Sequence, residues 1–226
     1  MKERQELACS IRMLERAGIV DFNGHASIRL PDGRGLLINS GASVRSALTE
    51  ADIIAVDFDG RPLEGAVVPP MEFHIHSEIY RRRPDVNAVI HAHPLWSTLF
   101  SSTGKPVRPV IMQAAVLGPI REFPAIASIN TKALGEALAE TIGPHRVALL
   151  KSHGSVIAAG NILEAFVLAV YLEENAERQH RAEQIGDPAV LTPAEISTIS
   201  ANLWKPNLLQ KVWDYHAAKL TPGAAG

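Results

Sequence analysis

Val89-Ile90-His91-Ala92-His93-Pro94 is the stretch from which the fold unrolls. It reads as the end of an apolar strand closed by a proline. Side chains alternate along a strand, so residues two apart face the same way. His91 and His93 can therefore meet one ion. A second stretch, Leu149-Leu150-Lys151-Ser152-His153-Gly154, carries a third histidine at the end of another apolar run. Three imidazoles from neighbouring strands leave coordination positions open for substrate, as a catalytic metal requires. An isolated His-x-His pair is more often a surface or core pair. The third histidine and the upstream carboxylate Glu72 make the metal reading the stronger one. Glu72 is expected at the head of a helix over Glu72–Arg83, closed by Pro84.

Working outward, residues 2–17 have Leu7, Ile11 and Leu14 at helical spacing before Gly18. Short strands are expected at 27–30 and 36–39, joined by the turn Pro31-Asp32-Gly33-Arg34-Gly35. The loop 40–48 carries Gly41 and Arg45 among small polar residues and reads as a binding loop. Thr49 can cap a short turn, and a strand follows over 53–58. Ala88–Ala92 is a strand, and Pro94 opens a short helix. Residues 104–128 are proline-rich with short extended pieces. Asn130 is expected to cap a helix over 131–142. A strand pair at 147–150 and 155–158 surrounds His153, and a long helix covers about 162–184. Thr192-Pro193-Ala194-Glu195 is a strong helix start. Strands and helices alternate, yet tight turns join several strand pairs. That favours an α/β sheet with much antiparallel pairing over a doubly wound parallel one.

The 226 residues suit one domain, 1–226, with a helical tail from about 190 to 226. The formal net charge of -2, without a block of like charges, argues against nucleic-acid binding. A single cysteine, Cys9, excludes an intrachain disulfide framework. No apolar run is long enough for a bilayer, and the charged N-terminus does not read as a signal peptide. A soluble, cytoplasmic protein without a membrane partner is expected. No dinucleotide or P-loop motif occurs.

The other histidines divide by position. His76 lies one helical turn from Glu72. An orienting or packing role is the preferred reading, although it stays among the candidate substrate contacts. His25, in Gly24-His25-Ala26-Ser27, reads as either a substrate contact or a local loop residue. His145, His180 and His216 read as surface or packing residues, and Arg81-Arg82-Arg83 as a solvated helix end. Trp204, Trp213 and Tyr215 fit a core or an interface.

Taken together, Glu72 with its helix, the run from Arg83 to His93 and the pair His153-Gly154 resemble the class II aldolase/adducin family over nearly the whole chain. The resemblance implies a three-layer α/β/α fold with a central, mainly antiparallel sheet. It also implies a homotetramer with one divalent metal ion, zinc or manganese, per subunit. It gives His91, His93 and His153 as metal ligands and Glu72 as the acid/base. Gly24, Ser27 and Arg29 match an early pocket motif, and Ser40-Gly41 the next pocket loop. Two departures bear on substrate. Sugar-phosphate members carry Gly-Asn where this chain has Gly24-His25. They also carry two serines where Pro70 and Met71 stand. Proline offers neither hydroxyl nor N–H, and methionine offers an apolar surface. The pattern is closer to members that decarboxylate dihydroxyphthalate or hydroxymethylpyridine dicarboxylate. The expected function is thus a metal-dependent carbon–carbon lyase, decarboxylating an anionic hydroxy-aromatic or heteroaromatic acid. Its substrate contacts would come from His25, Ser40, Gly41, Arg45, Met71 and His76. The alternatives are an aldolase or epimerase for a sugar phosphate or hydroxy-oxo acid, and a non-catalytic adducin-like interaction domain.

Overall fold

The computed structural model describes residues 2–220. The last part of the expected tail, 221–226, lies outside the described residues. In chain order the elements are α1 (Lys2–Arg16), β1 (His25–Arg29), β2 (Gly35–Asn39), β3 (Ile53–Asp57), α2 (His74–Arg82), β4 (Ala88–Ala92), α3 (Leu95–Thr103), β5 (Ile120–Phe123), α4 (Lys132–Ile142), β6 (Val147–Leu150), β7 (Gly154–Ala159), α5 (Ile162–Glu183), α6 (Pro193–Leu203) and α7 (Pro206–Ala218). The seven strands form one sheet in the order β3-β2-β1-β4-β7-β6-β5. Every neighbouring pair is antiparallel except β5 with β6. The mixed α/β architecture with a mainly antiparallel sheet is the one expected.

Strand alternation sorts the core into two layers. Ala88, Ile90 and Ala92 of β4 join Leu7, Ile11 and Leu14 of α1 and Phe166 of α5 on one face. Val89 joins Ile75 and Ile79 of α2 and Leu138 and Ile142 of α4 on the other. His91 follows Val89 in this alternation, so it shares the α2 side of the sheet. Odd-numbered His25 and Ser27 share it too, because Ala26 belongs to the α1 layer. Helices α2 and α4 pack closely at Gly135, where a Cβ would lie 2.6 Å from the His74 carbonyl oxygen.

Helix α5 does more than cover the sheet. Glu173, buried within it, accepts the Trp96 and Ser97 backbone N–H groups at 2.5 and 3.0 Å. These are orphan donors of α3, which has no side-chain cap of its own. The start of α3, just after His93, is thereby pinned. Asn175 and Gln179 accept from the Val110 and Arg108 N–H groups, so the proline-rich segment is stitched to the same helix.

Two local expectations need correction. Glu72 does not begin α2 but sits in the preceding turn, two residues ahead of it. Its carboxylate is held by Ser128 and Ile129, so the chain bends toward that segment first. The cap of α4 is Thr131 rather than Asn130, its hydroxyl accepting the Leu134 N–H. His153 lies in the tight turn between β6 and β7, between the two strands expected around it. That turn needs a left-handed residue, Ser152, with φ 53°.

Candidate metal centre

The register of the sheet brings the site together. His25 of β1 stands opposite His91 of β4, which stands opposite Val156 of β7. His93 follows one residue past the end of β4, and the β6–β7 turn swings His153 over to meet it. Glycine is needed at 154 for this approach, since a Cβ would lie 2.3 Å from the Ala92 carbonyl oxygen and 2.9 Å from the His93 ring. The three rings form a tight cluster, with centroid separations of 4.9, 5.0 and 5.0 Å.

Each ring has its Nδ1 on an acceptor. His91 Nδ1 donates to the Ser155 carbonyl at 3.0 Å, His153 Nδ1 to the Ala127 carbonyl at 3.0 Å and His93 Nδ1 to the Asp21 carboxylate at 3.1 Å. A neutral imidazole with hydrogen on Nδ1 has its lone pair on Nε2. His91 and His93 Nε2 lie 3.1 Å apart. Glu72 Oε2 lies 3.3 Å from His91 Nε2 and 3.6 Å from His153 Nε2. One atom from each of the four residues falls within 4.8 Å of all the others. Three lone pairs and a carboxylate oxygen aimed at one point repel each other unless positive charge lies among them. The donor set therefore fits a divalent cation, with outer partners fixing the tautomers as metal sites usually arrange them. Nitrogen and oxygen donors of this kind suit zinc and manganese alike.

Glu72 is anchored on its other oxygen. Oε1 accepts the Ser128 hydroxyl at 2.8 Å and the Ile129 N–H at 2.7 Å. Burial would raise this carboxyl, but His153 and His91, which donate from Nε2 once the metal-free site takes up a proton, outweigh it and hold it below the ordinary carboxylate range. Glu72, which accepts from His153 Nε2 when that ring is protonated, raises His153 against burial. His91 is lowered by burial, against the pull of Glu72.

The expected substrate contacts are spread over several environments. Met71 projects outward, 73% exposed beside Glu72. Gly41 packs near Pro70, where a Cβ would lie 3.5 Å from its Cα. Arg45 is buried, its Nε donating to the Gly24 carbonyl at 2.7 Å and its Nη1 to the Ser40 and Ser43 carbonyls. It ties the Ser40 loop to the residue before His25, with Ser40 buried at the knot. His25 and His76 are buried and bonded to each other at 2.6 Å. Arg29 donates to the Val86, Tyr80 and Arg83 carbonyls, which braces β1 against α2.

Sequence reasoning missed Asp21, Ser128 and the two carbonyl acceptors. Asp21 is the most informative of these. Its Oδ1 accepts the Asn23 and Gly24 N–H groups while its Oδ2 faces His93. An Asx-type turn in Asp21-Phe22-Asn23-Gly24 was the available signal.

Comparison with known proteins identifies the family. Residues 5–180 match the model of the class II aldolase and adducin N-terminal domain. A 3,4-dihydroxyphthalate decarboxylase of Arthrobacter keyseri is 32% identical over 184 residues, covering 75% of this chain and 74% of the relative. A 5-methylthioribulose-1-phosphate/5-deoxyribulose-1-phosphate aldolase of Rhodospirillum rubrum is 36% identical over 180 residues, covering 78% and 79%. A solved L-fuculose 1-phosphate aldolase superposes with a TM-score of 0.80 at 26% identity, covering 90% of this chain and 96% of that one.

Proposed function

Since the chain belongs to the class II aldolase and adducin family, we propose that it is a metal-dependent lyase that decarboxylates a non-phosphorylated hydroxy-aromatic or heteroaromatic acid. The observation that carries this choice is the surface leading into Glu72. Pro70 supplies no donor, and Met71, largely exposed, offers an apolar side chain whose sulfur faces the Asn130 amide. A phosphate wants several charge-assisted donors at once. Arg29 and Arg45, the basic residues of the two pocket segments, are spent on backbone carbonyls. Phe22, beside Asp21, and Ile126, beside Ala127, are also exposed large apolar residues. A flat ring bearing carboxylates suits such a rim better than a sugar phosphate does. The similarity to a dihydroxyphthalate decarboxylase supports the same reading.

His91, His93 and His153 would hold the ion, with Glu72 beside it. When bound, a divalent cation supplies Lewis-acid stabilisation of negative charge on substrate oxygens. The rest falls to the protein. Glu72 is ionised in the free site, so it acts first as a base on the substrate's ortho hydroxyl. Breaking the carboxyl–ring bond leaves its electron pair on the ring carbon as carbon dioxide departs. Glu72 then returns the proton to that carbon. Its grip on Ser128 and Ile129 through Oε1 keeps Oε2 as the proton-carrying oxygen. We also propose a homotetramer, for which the exposed apolar side chains near the site supply contact surface.

A second reading is aldol cleavage of a ketose phosphate, favoured by the likeness to the Rhodospirillum aldolase. The same Glu72 would then take the hydroxyl proton of the cleaved carbon. Comparing kcat/KM for carbon dioxide release from hydroxy-aromatic acids with that for aldehyde release from ketose phosphates separates the two. The metal is supplied in excess. Aldehyde release alone would overturn the decarboxylase reading.

A further inference from the structure

Four polar side chains lie in a row beneath the metal centre on the α2 side of the sheet. His25 Nδ1 meets His76 Nε2 at 2.6 Å, His76 Nδ1 meets Ser27 Oγ at 2.6 Å, and Ser27 Oγ meets Tyr80 Oη at 2.7 Å. None of the four residues is more than 2% exposed. Water therefore has little access to complete or reverse the hydrogen bonds, and the direction of the chain is set by its end.

The direction follows from counting hydrogens. Among the described residues, Ser27 is the side-chain partner of the Tyr80 hydroxyl. A phenol O–H turned elsewhere would be a buried donor without an acceptor, which is costly. Tyr80 therefore donates to Ser27. Ser27 turns its own hydrogen to His76 Nδ1, which must then be the lone-pair nitrogen. A neutral imidazole with a bare Nδ1 carries its hydrogen on Nε2. His76 gives that hydrogen to His25 Nδ1, and the same rule places the hydrogen of His25 on its own Nε2. Both rings are buried and no carboxylate belongs to the row, so the neutral form of each is favoured.

His25 Nε2 is the one polar atom of the row with no partner among the described residues. The buried side-chain atoms lacking partners are Arg12 Nε, His74 Nδ1, Ser97 Oγ and Thr98 Oγ1. His25 Nε2 is not one of them, so the residue's remaining surface includes this atom. The ring centroid lies 5.0 Å from that of His91. A donor at the edge of the metal centre suits a substrate oxygen carrying negative charge.

We propose that His25 is the neutral Nε2–H donor for an anionic oxygen of the substrate, and that Tyr80, Ser27 and His76 are positioning residues that fix its tautomer. The role for substrate rests on the lyase reading of the same site; the tautomer does not. The opposite tautomer would turn a lone pair toward the anion. Losing a hydrogen bond to a charged group weakens binding by about tenfold or more.

Nitrogen-15 NMR of the histidine rings reads the tautomers directly, in metal-free and zinc-loaded protein. In the wild type, His25 and His76 should both carry hydrogen on Nε2. Tyr80→Phe keeps the ring but removes the terminal donor, and the His25 tautomer should become mixed. Ser27→Thr keeps a hydroxyl and should preserve it. Phthalate, as an anionic probe of the zinc-loaded protein, should shift the His25 Nε2–H signal and bind about tenfold more weakly to Tyr80→Phe, with zinc content unchanged. Hydrogen on His25 Nδ1 in the wild type would overturn the proposal, as would phthalate binding without a response at His25. The wild-type spectrum decides the tautomer even if Tyr80→Phe does not fold. Absence of carbon dioxide release from every acid, with the tautomer and the phthalate response intact, would overturn the decarboxylase reading and leave the tautomer and its anion contact standing.

Discussion

Asp21→Asn is the sharpest perturbation of the metal centre that leaves its ligands in place. The carboxylate holds the turn through Oδ1, which accepts two backbone N–H groups, and holds His93 through Oδ2. An asparagine that keeps the turn with its carbonyl oxygen must point its NH2 at His93 Nδ1. Donor would then face donor. The ring escapes by moving its hydrogen to Nε2, which removes the lone pair the ion needs. If the amide flips instead, the turn loses the one oxygen that accepts both N–H groups. Outer partners of metal-bound histidines contribute about 10- to 100-fold in affinity, or ~1.4–2.7 kcal/mol. The Asp21 side chain is 35% exposed, so solvent screens part of its charge and the lower half of that range is expected. Competition for zinc against a chromophoric chelator measures the change, and thermal melting of the metal-free variant checks that the fold persists. Zinc affinity within about twofold of wild type, in a folded variant, would refute the tautomer argument.

Glu72→Gln keeps an acceptor for Ser128 and Ile129 but removes the titrating proton; turnover should fall by about 10²-fold or more with the fold intact. Near-normal turnover would move the acid/base role to another group. Metal-free protein should lose stability as pH falls below about 6.5, because His76 is held at about 3 when folded and takes its proton near 6.5 when unfolded. The unfolded chain binds more protons in that window, so His76 alone contributes a slope of about 1.4 kcal/mol per pH unit. Urea midpoints that stay level from pH 7 to pH 5 would contradict this. Light scattering at micromolar concentration should return the mass of a tetramer, and a monomer would remove the proposed assembly.

The parts of the site that depend on strand alternation were legible. His91 and His93 face one way because they are two apart, and the gap between the expected strands 147–150 and 155–158 marks where His153 swings in. Most of what fixes these rings was not legible. Two of the three Nδ1 partners are backbone carbonyls, of Ser155 and Ala127, which any residue could supply. The third, Asp21, lies 72 residues from His93 and looks like an ordinary turn aspartate. Arg45 among glycine and serine resembles an anion site in sequence, and only the folded loop shows its guanidinium given to carbonyls. The row of His25, His76, Ser27 and Tyr80 needs the pairing of β1 with β4 and the packing of α2 before it exists at all. Glu72 shows the reverse error: its position before a helical pattern suggested a first-turn acid, whereas it sits in the turn that leads into α2, with its carboxylate on Ser128 and Ile129.

The most direct test of the metal centre is anomalous diffraction from crystals grown with zinc or manganese. One ion per chain should be found within bonding distance of Nε2 of His91, His93 and His153, about 2.0–2.2 Å for zinc. The Nδ1 atoms should remain on Ser155, Asp21 and Ala127. An ion bound through Nδ1, or bound away from these three histidines, would contradict the account.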